Sequence, residues 1–189
     1  MKDSCVFIIR KTSDLMNVII PLIENNKLHT SKYLDFLDFK ACVTLIYNQG
    51  SVIDNQNLDW VKICIKGMNS GRTEIKTSLL PEIPVNLFLL LGFIEGEGTF
   101  GLKGLVPYFQ VAQHNENSHV LKIISEFLIY LPNLFYYASN LSPLNISKSL
   151  NIRTNVLSLT VNSIDSLHDI LVLNFLSLEF QTRKFVDFL

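Results

Sequence analysis

The first 70 residues show apolar positions at helical spacing in three stretches, each with polar residues between them. Residues able to cap a helix, Thr12 or Ser13 and then Thr30 or Ser31, precede the first two stretches. The pattern therefore predicts a short β-type run at 6–10, then helices that begin near Thr12 and near Thr30, and a third helix over about 58–68.

The pattern changes in residues 84–100, where apolar side chains surround a short predicted helix on every side. A helix that is apolar all round must be covered by protein, so this one is predicted to be central. Gly92 and Gly96 lie four residues apart on one of its faces, and glycine weakens a helix unless a neighbouring backbone comes close. We therefore expect another helix to pack against Gly92 and Gly96.

Strand signals and further helices follow this central helix. Two strands at 100–106 and 108–114 are predicted to form a hairpin joined near Gly104 and Pro107. A helix starting at Ser118, strands at 134–138 and 152–161 and a helix starting near Ser163 follow. The order predicts an α+β fold: an αββαββα unit in which helices cover one face of an antiparallel sheet, after a helical N-terminal part.

Composition limits the classes of function. Hydrophobic residues make up 48% of the 189 residues, which indicates a globular fold. Residues 1–80 carry a formal charge of +2 and residues 81–189 one of −3, for a net charge of −1, which is unusual for a protein that grips nucleic acid. No membrane helix or targeting peptide is predicted. Cys5, Cys42 and Cys64 lack metal-site spacing and are expected to be buried reduced thiols.

Two carboxylates follow the central helix directly, at Glu95 and Glu97. The helix dipole and the preceding apolar run both disfavour negative charge there, so local stability does not explain them. A divalent cation would, because Mg²⁺ binds one or two carboxylates together with phosphate oxygens. The alternative is a solvated loop of glutamates after a buried helix.

Residues 90–98, Leu-Leu-Gly-Phe-Ile-Glu-Gly-Glu-Gly, resemble the LAGLIDADG motif of homing endonucleases and intron maturases, and Thr99-Phe100 opens a strand as in that family. The resemblance implies that two such helices pack together and that Glu97 binds Mg²⁺ at the scissile phosphate. It also implies that Gln113 lies in the active-site region and that Gln110 faces nucleic acid. For both glutamines the alternative is a solvated strand face.

An internal repeat supports this resemblance, because residues 20–37 align without gaps with residues 172–189. The repeat implies that residues 1–75 are the closing part of a first LAGLIDADG repeat, 76–84 a linker and 85–189 a complete second repeat. In the family this segment places a lysine near the active site, here Lys32 and Lys184. Their alternative role is pairing with the next aspartate of the same helix.

These residues predict a nuclease with half an active site, which cleaves DNA only when a partner protein supplies a second motif helix. Candidate nucleic-acid contacts are Lys103, Gln110 and Arg153. The alternative is a non-catalytic protein that binds RNA in the manner of a maturase or belongs to an organellar ribonucleoprotein such as a mitochondrial ribosome. A structural domain unrelated to nucleic acid is the third possibility. The bias towards Asn, Ile, Leu, Lys and Ser suits an AT-rich organellar genome and predicts a mitochondrial or other organellar location.

Overall fold

The chain divides into two compact units, Met1–Ile83 and Pro84–Leu189. The computed structural model describes residues 6–50, 53–82, 84–131, 144–172 and 180–188. Within these ranges, no helix is both long enough and apolar enough to cross a membrane.

The first unit is helical. Its core contains Ile20, Phe36 and Val43. Residues 6–10 form no strand, in contrast to the prediction, because the described strands all belong to the second unit and none is available to pair with them. The helices are Thr12–Asp14 with the π-helical Leu15–Ile19 and then Ile20–Asn25 (together α1), Lys32–Gln49 (α2) and Asn55–Gly67 (α3).

An ion-pair network joins the segment after α3 to helix α2. Arg72 donates from Nε to Asp35 at 2.8 Å and from its terminal nitrogen to Asp38. Lys32 donates to Asp35 at 3.2 Å and to Asn69 at 2.7 Å. Burial raises the pKa of Asp35, but hydrogen bonds from Arg72, the Asn69 backbone and Lys32 outweigh it, so that the pKa is lowered overall. Asp35 is therefore ionised at neutral pH and holds the segment in place.

Two cysteines of the first unit, Cys42 and Cys64, are free thiols, the first buried and the second half-buried. Burial and the neighbouring Cys64 raise the pKa of the Cys42 thiol to about 11. The expectation of reduced thiols is confirmed for these two, and Cys5 lies outside the described residues.

The second unit has the predicted αββαββα order, followed by a short helix. The α+β class and the order of elements predicted from the strand and helix signals are therefore confirmed. The elements are Leu87–Glu97 (α4), Gly98–Lys103 (β1), Val106–His114 (β2), Ser118–Tyr130 (α5), Ser147–Asn151 (β3), Val156–Val161 (β4), the π-helical Ser166–Val172 (α6) and Lys184–Phe188 (α7).

The four strands form one antiparallel sheet in the order β1-β2-β4-β3. Phe109 pairs with Val161 and Val111 with Leu159, so these four apolar side chains share one face. That face belongs to the main core of the unit, to which α4 and α5 contribute Leu90, Ile94, Val120, Leu121, Ile124 and Leu128. The other face carries mostly polar side chains.

Two strand boundaries differ from the prediction. The first hairpin turns at Gly104, whose φ of 66° favours glycine, whereas Pro107 lies inside β2. The β4 pairing begins only at Phe109, so no described strand flanks Pro107 on that side and its missing N–H is tolerated.

The second difference concerns the predicted strand at 152–161, of which only Val156–Val161 is strand. Residues 152–155 form a turn, and the preceding strand, β3, occupies Ser147–Asn151, between the two strands predicted at 134–138 and 152–161. All five residues of β3 are exposed, so the apolar alternation that identifies a strand is missing. The strand predicted at 134–138 lies outside the described residues.

Candidate functional site

The motif helix α4 ends abruptly at the carboxylates. The side chain of Asn86 caps its start by accepting the Leu89 N–H at 2.9 Å. At its other end Glu97 is the last helical residue and Gly98 is already the first residue of β1. A Cβ on Gly98 would lie 2.7 Å from the carbonyl oxygen of Ile94 and 2.8 Å from Cγ2 of that residue. The direct passage from helix to strand therefore requires glycine at this position.

A segment distant in sequence holds this helix end. The Glu95 carboxylate accepts hydrogen bonds from the Gln181 N–H, from the Thr182 N–H at 3.2 Å and from the Thr182 hydroxyl. The Lys184 amine donates to the Gly98 carbonyl. We call Gln181, Thr182 and Lys184 the clasp, because together they fix both the last helical turn and the first strand residue.

The clasp determines the ionisation of Glu95. Partial burial raises the pKa of this carboxyl, but the hydrogen bonds from Thr182 and Gln181 and the charge of Lys184 outweigh that effect, so the pKa is lowered. Glu95 is thus ionised, with both oxygens already engaged. It is a structural anchor and not an open metal ligand, in contrast to the expectation that it would share a cation with Glu97.

Glu97 is exposed, and no hydrogen bond or ion pair to it is recorded within the described part of the chain. The same residues contain no group of three or more His, Cys, Asp or Glu side chains that could enclose a metal ion. One free carboxylate still suits Mg²⁺, which takes few protein ligands and completes its shell with phosphate oxygens and water. Glu97 is therefore the residue at this helix end that could hold the metal.

Gln113 lies beside the same helix end. Gly98, the first residue of β1, pairs with Val111, so β2 continues past the start of β1 towards the end of α4. Gln113 is half-buried, on the same face as Val111, and accepts a hydrogen bond from the Asn117 amide at 3.4 Å. Gln113 thus lies two residues beyond the strand partner of Gly98, the residue that follows Glu97 and whose carbonyl accepts from Lys184.

The three predicted nucleic-acid contacts are spread along the sheet. Gln110 is central on the polar face and donates to the Thr160 hydroxyl at 3.0 Å. Lys103 ends β1 at one end of the sheet, while Arg153 lies in the β3–β4 turn at the other. At about 3.3 Å per residue, the length of β2 separates these two ends by roughly 25 Å. The remaining outward positions are mostly small and polar: Thr99, Ser147, Ser149, Ser158 and Thr160.

The glycine face of α4 is open. Gly92 and Gly96 are exposed, and a Cβ on either would meet no atom of the described residues within 4 Å. Phe88, one helical turn before Gly92, is 79% exposed. We refer to Phe88, Gly92 and Gly96 as the glycine face.

Lys32 lies in the first unit, where its amine pairs with Asp35 and Asn69. This geometry suits the alternative of a lysine that pairs with the next aspartate of its own helix, and a catalytic role stays a prediction.

Several known proteins resemble this chain. A family model described as "LAGLIDADG endonuclease" matches residues 1–43. The "Uncharacterized mitochondrial protein RF1" of Saccharomyces cerevisiae is 25% identical over 185 residues, which cover 92% of this chain and 38% of that protein.

Solved structures share the fold. I-SmaMI bound to uncleaved DNA in the presence of calcium ions has a TM-score of 0.72 at 19% identity and covers 95% of this chain. The LAGLIDADG homing endonucleases I-LtrWI and I-GzeII, each bound to target DNA, have TM-scores of 0.73 and 0.74 at 22% and 18% identity and cover 94% and 95% of it. The chain spans 62 to 64% of the length of these three structures. The LAGLIDADG resemblance recognised from residues 90–98 is therefore confirmed, and the chain has the fold of the LAGLIDADG homing endonucleases.

Proposed function

We propose that this chain contributes one of the two motif helices of a LAGLIDADG DNA endonuclease, and that the second helix comes from outside these 189 residues. The observation that carries the proposal is the open glycine face of α4, which ends at Glu97, a carboxylate with no recorded partner among the described residues. Glycines that leave a helix surface bare suit a second helix packed at close range, and such packing would bring a second acidic residue beside Glu97.

The residues of the site have distinct proposed roles. Glu97 would hold Mg²⁺ together with phosphate oxygens, and the bound ion would stabilise the charge that develops during phosphodiester hydrolysis. Gln113 would orient the attacking water or a phosphate. Lys184 at this helix end, and Lys32 from the first repeat, would stabilise developing negative charge. The polar sheet face around Gln110 would contact DNA.

The domain organisation follows from the same proposal. Residues 1–75 would close the half that carries the second helix, 76–84 would connect the halves, and 85–189 would form this half. Similarity supports DNA as the ligand, since I-SmaMI, I-LtrWI and I-GzeII were solved with DNA. A relative named as mitochondrial supports a mitochondrial location.

The test is a cleavage assay on randomised duplex DNA with Mg²⁺, followed by sequencing of the ends. We expect no double-strand breaks from the 189-residue chain alone, because one carboxylate cannot hold metal at both strands. Breaks should appear when a polypeptide bearing a second acidic motif helix is added, and Glu97→Gln should abolish them. Glu116→Gln, an exposed carboxylate in the turn after β2, is the matched control that should retain cleavage. Glu97-dependent breaks from the chain alone would contradict the half-site proposal.

One observation favours a second candidate, an RNA-binding or ribonucleoprotein component without catalysis. The outward sheet positions are mostly uncharged, and binding to duplex DNA normally depends on Lys and Arg contacts to phosphates. Mass spectrometry of native complexes discriminates the two, because a motif-bearing protein supports the nuclease and a ribosome or RNA supports the alternative.

A further inference from the structure

The clasp is part of the internal repeat, in which Thr182 corresponds to Thr30 and Lys184 to Lys32. In the second unit the Lys184 N–H donates to the Thr182 hydroxyl oxygen at 3.2 Å. In the first unit the Lys32 N–H donates to the Thr30 hydroxyl oxygen at 3.3 Å. Each of these hydrogen bonds comes just before or at the start of a helix, Lys184–Phe188 in one unit and Lys32–Gln49 in the other. The repeat in sequence is therefore also a repeat in local structure.

The two copies differ in what they hold. Thr182 and Lys184 fix the end of α4 through Glu95 and Gly98. In the described part of the first unit no carboxylate is recorded against Thr30, and the Lys32 amine, whose side chain is 58% exposed, contacts Asp35 and Asn69. Thr30 and Lys32 in the first unit thus have the same local arrangement as Thr182 and Lys184, but within the described residues of that unit they hold no helix end.

We infer that Thr30 and Lys32 form a second clasp, which receives the carboxyl end of another motif helix. The inference rests on the proposed function. The helix that binds to this second clasp must carry a carboxylate two residues before its metal-binding acid, in the positions that Glu95 and Glu97 have in α4. The Thr30 hydroxyl donates to that carboxylate, and the Lys32 amine donates to the carbonyl of the glycine that follows the helix.

A second copy of this chain does not fit as the occupant. Glu95 of a second copy is already held by its own Thr182, and the Gly98 carbonyl by its own Lys184. The clasp of the first unit needs a motif helix that has no closing segment of its own. Such a helix belongs to a half whose closing segment is residues 20–37.

The test joins a copy of residues 84–172 ahead of Met1 of the full chain through a flexible Gly/Ser linker. The appended copy has the motif helix but ends before the clasp, so the inference requires Thr30 and Lys32 to complete it. Unfolding by urea is measured without DNA or metal for four proteins: the parent, Thr30→Val in the full chain, Glu95→Gln in the appended copy, and the double variant. Thr30→Ser serves as the conservative control that retains a hydroxyl donor.

The two substitutions should be coupled. A hydrogen bond to a charged group contributes enough that the coupling should be about tenfold in the folding equilibrium of the appended unit, and Thr30→Ser should restore it. In the chain without the extension, Thr182→Val combined with Glu95→Gln should give coupling of similar size. Additive effects of Thr30→Val and Glu95→Gln, or an appended unit that stays unfolded, would overturn the inference.

The cleavage assay on the same proteins separates this inference from the proposed function. Coupling with no cleavage would leave the second clasp standing and count against the nuclease. Cleavage without coupling would support the nuclease and overturn the second clasp.

Discussion

Gly98 and Gly96 are two residues apart in sequence and should respond in opposite ways to the same substitution. Gly98→Ala places a methyl group against the Ile94 backbone and should destabilise the chain by about 1–3 kcal/mol. Gly96→Ala meets open space and should stabilise the isolated chain by about 0.5 kcal/mol, because alanine favours a helix more than glycine does. Urea denaturation of both variants tests the pair, and equal effects would contradict this account of the helix end.

Glu95 should make stability depend on pH in the acid range. Its pKa is lowered in the folded chain, so its contribution is complete above the pKa of about 4.3 for an unfolded glutamate and disappears as pH falls through the folded value. Melting temperatures of the parent and Glu95→Gln should therefore differ most at neutral pH and converge as pH falls below the unfolded value and through the folded one. A difference that stays constant down to pH 3 would show that Glu95 does not act as an ionised anchor.

The roles of these residues could be predicted from the sequence to different degrees. Glu97 and the two helix glycines follow from spacing within nine residues, where local rules are strong. The role of Glu95 does not, because its partner Thr182 lies 87 positions away and only the fold brings them together. A carboxylate at the carboxyl end of a helix can be stabilised by a bound cation or by hydrogen-bond donors from a distant segment. Glu95 is stabilised in the second way.

Helix α4 leads to a prediction about association of this chain with a partner helix. Gly92→Leu adds a large side chain where the isolated chain has room, so it should not disturb the fold of the chain itself. It should overpack a helix pair by about 1–3 kcal/mol, a loss of partner affinity of about 5- to 150-fold. Sedimentation with and without the partner measures this, and Lys122→Leu, on an exposed position of α5, is the control. An affinity for the partner that Gly92→Leu leaves unchanged would contradict the expectation that another helix packs against the glycine face.

The polar face of the sheet leads to a prediction about how the affinity for DNA depends on salt concentration. Its polar face and adjoining turn offer Lys103 and Arg153, so about two phosphates should be neutralised and log affinity should fall with log salt at a slope near −2. Lys103→Ala should flatten the slope by about 0.9, whereas Lys122→Ala on α5, which packs on the opposite face, should leave it unchanged. A slope of about −6 or steeper would reveal a basic surface that these residues do not provide.

Strand prediction succeeded for a strand that buries one face and failed for a strand that buries neither face. The strand predicted at 108–114 was found as part of β2, where buried Phe109 and Val111 alternate with half-buried Gln110 and Ala112. Strand β3, Ser147–Asn151, has five exposed residues and forms through its backbone pairing with β4, for which a pattern of side chains gives no signal.

At the scale of the whole molecule, the motif and its fold were predictable because one half contains all the contacts that form it. The proposed chemistry is not contained in the same way, since Glu97 supplies one carboxylate and the proposal requires a second helix against the glycine face.

The Arg72 network also has a consequence for digestion by trypsin. Trypsin must draw a lysine or arginine side chain into its specificity pocket, but the Arg72 side chain is 17% exposed and is held by Asp35 and Asp38. Lys76, four residues later, is exposed, and its side-chain amine has no recorded partner in the described part of the chain. Brief digestion should therefore cut after Lys76 before it cuts after Arg72, and Asp38→Asn should make the bond after Arg72 more susceptible. In the native protein the order of the fragments would report whether α2 still holds the segment that follows α3.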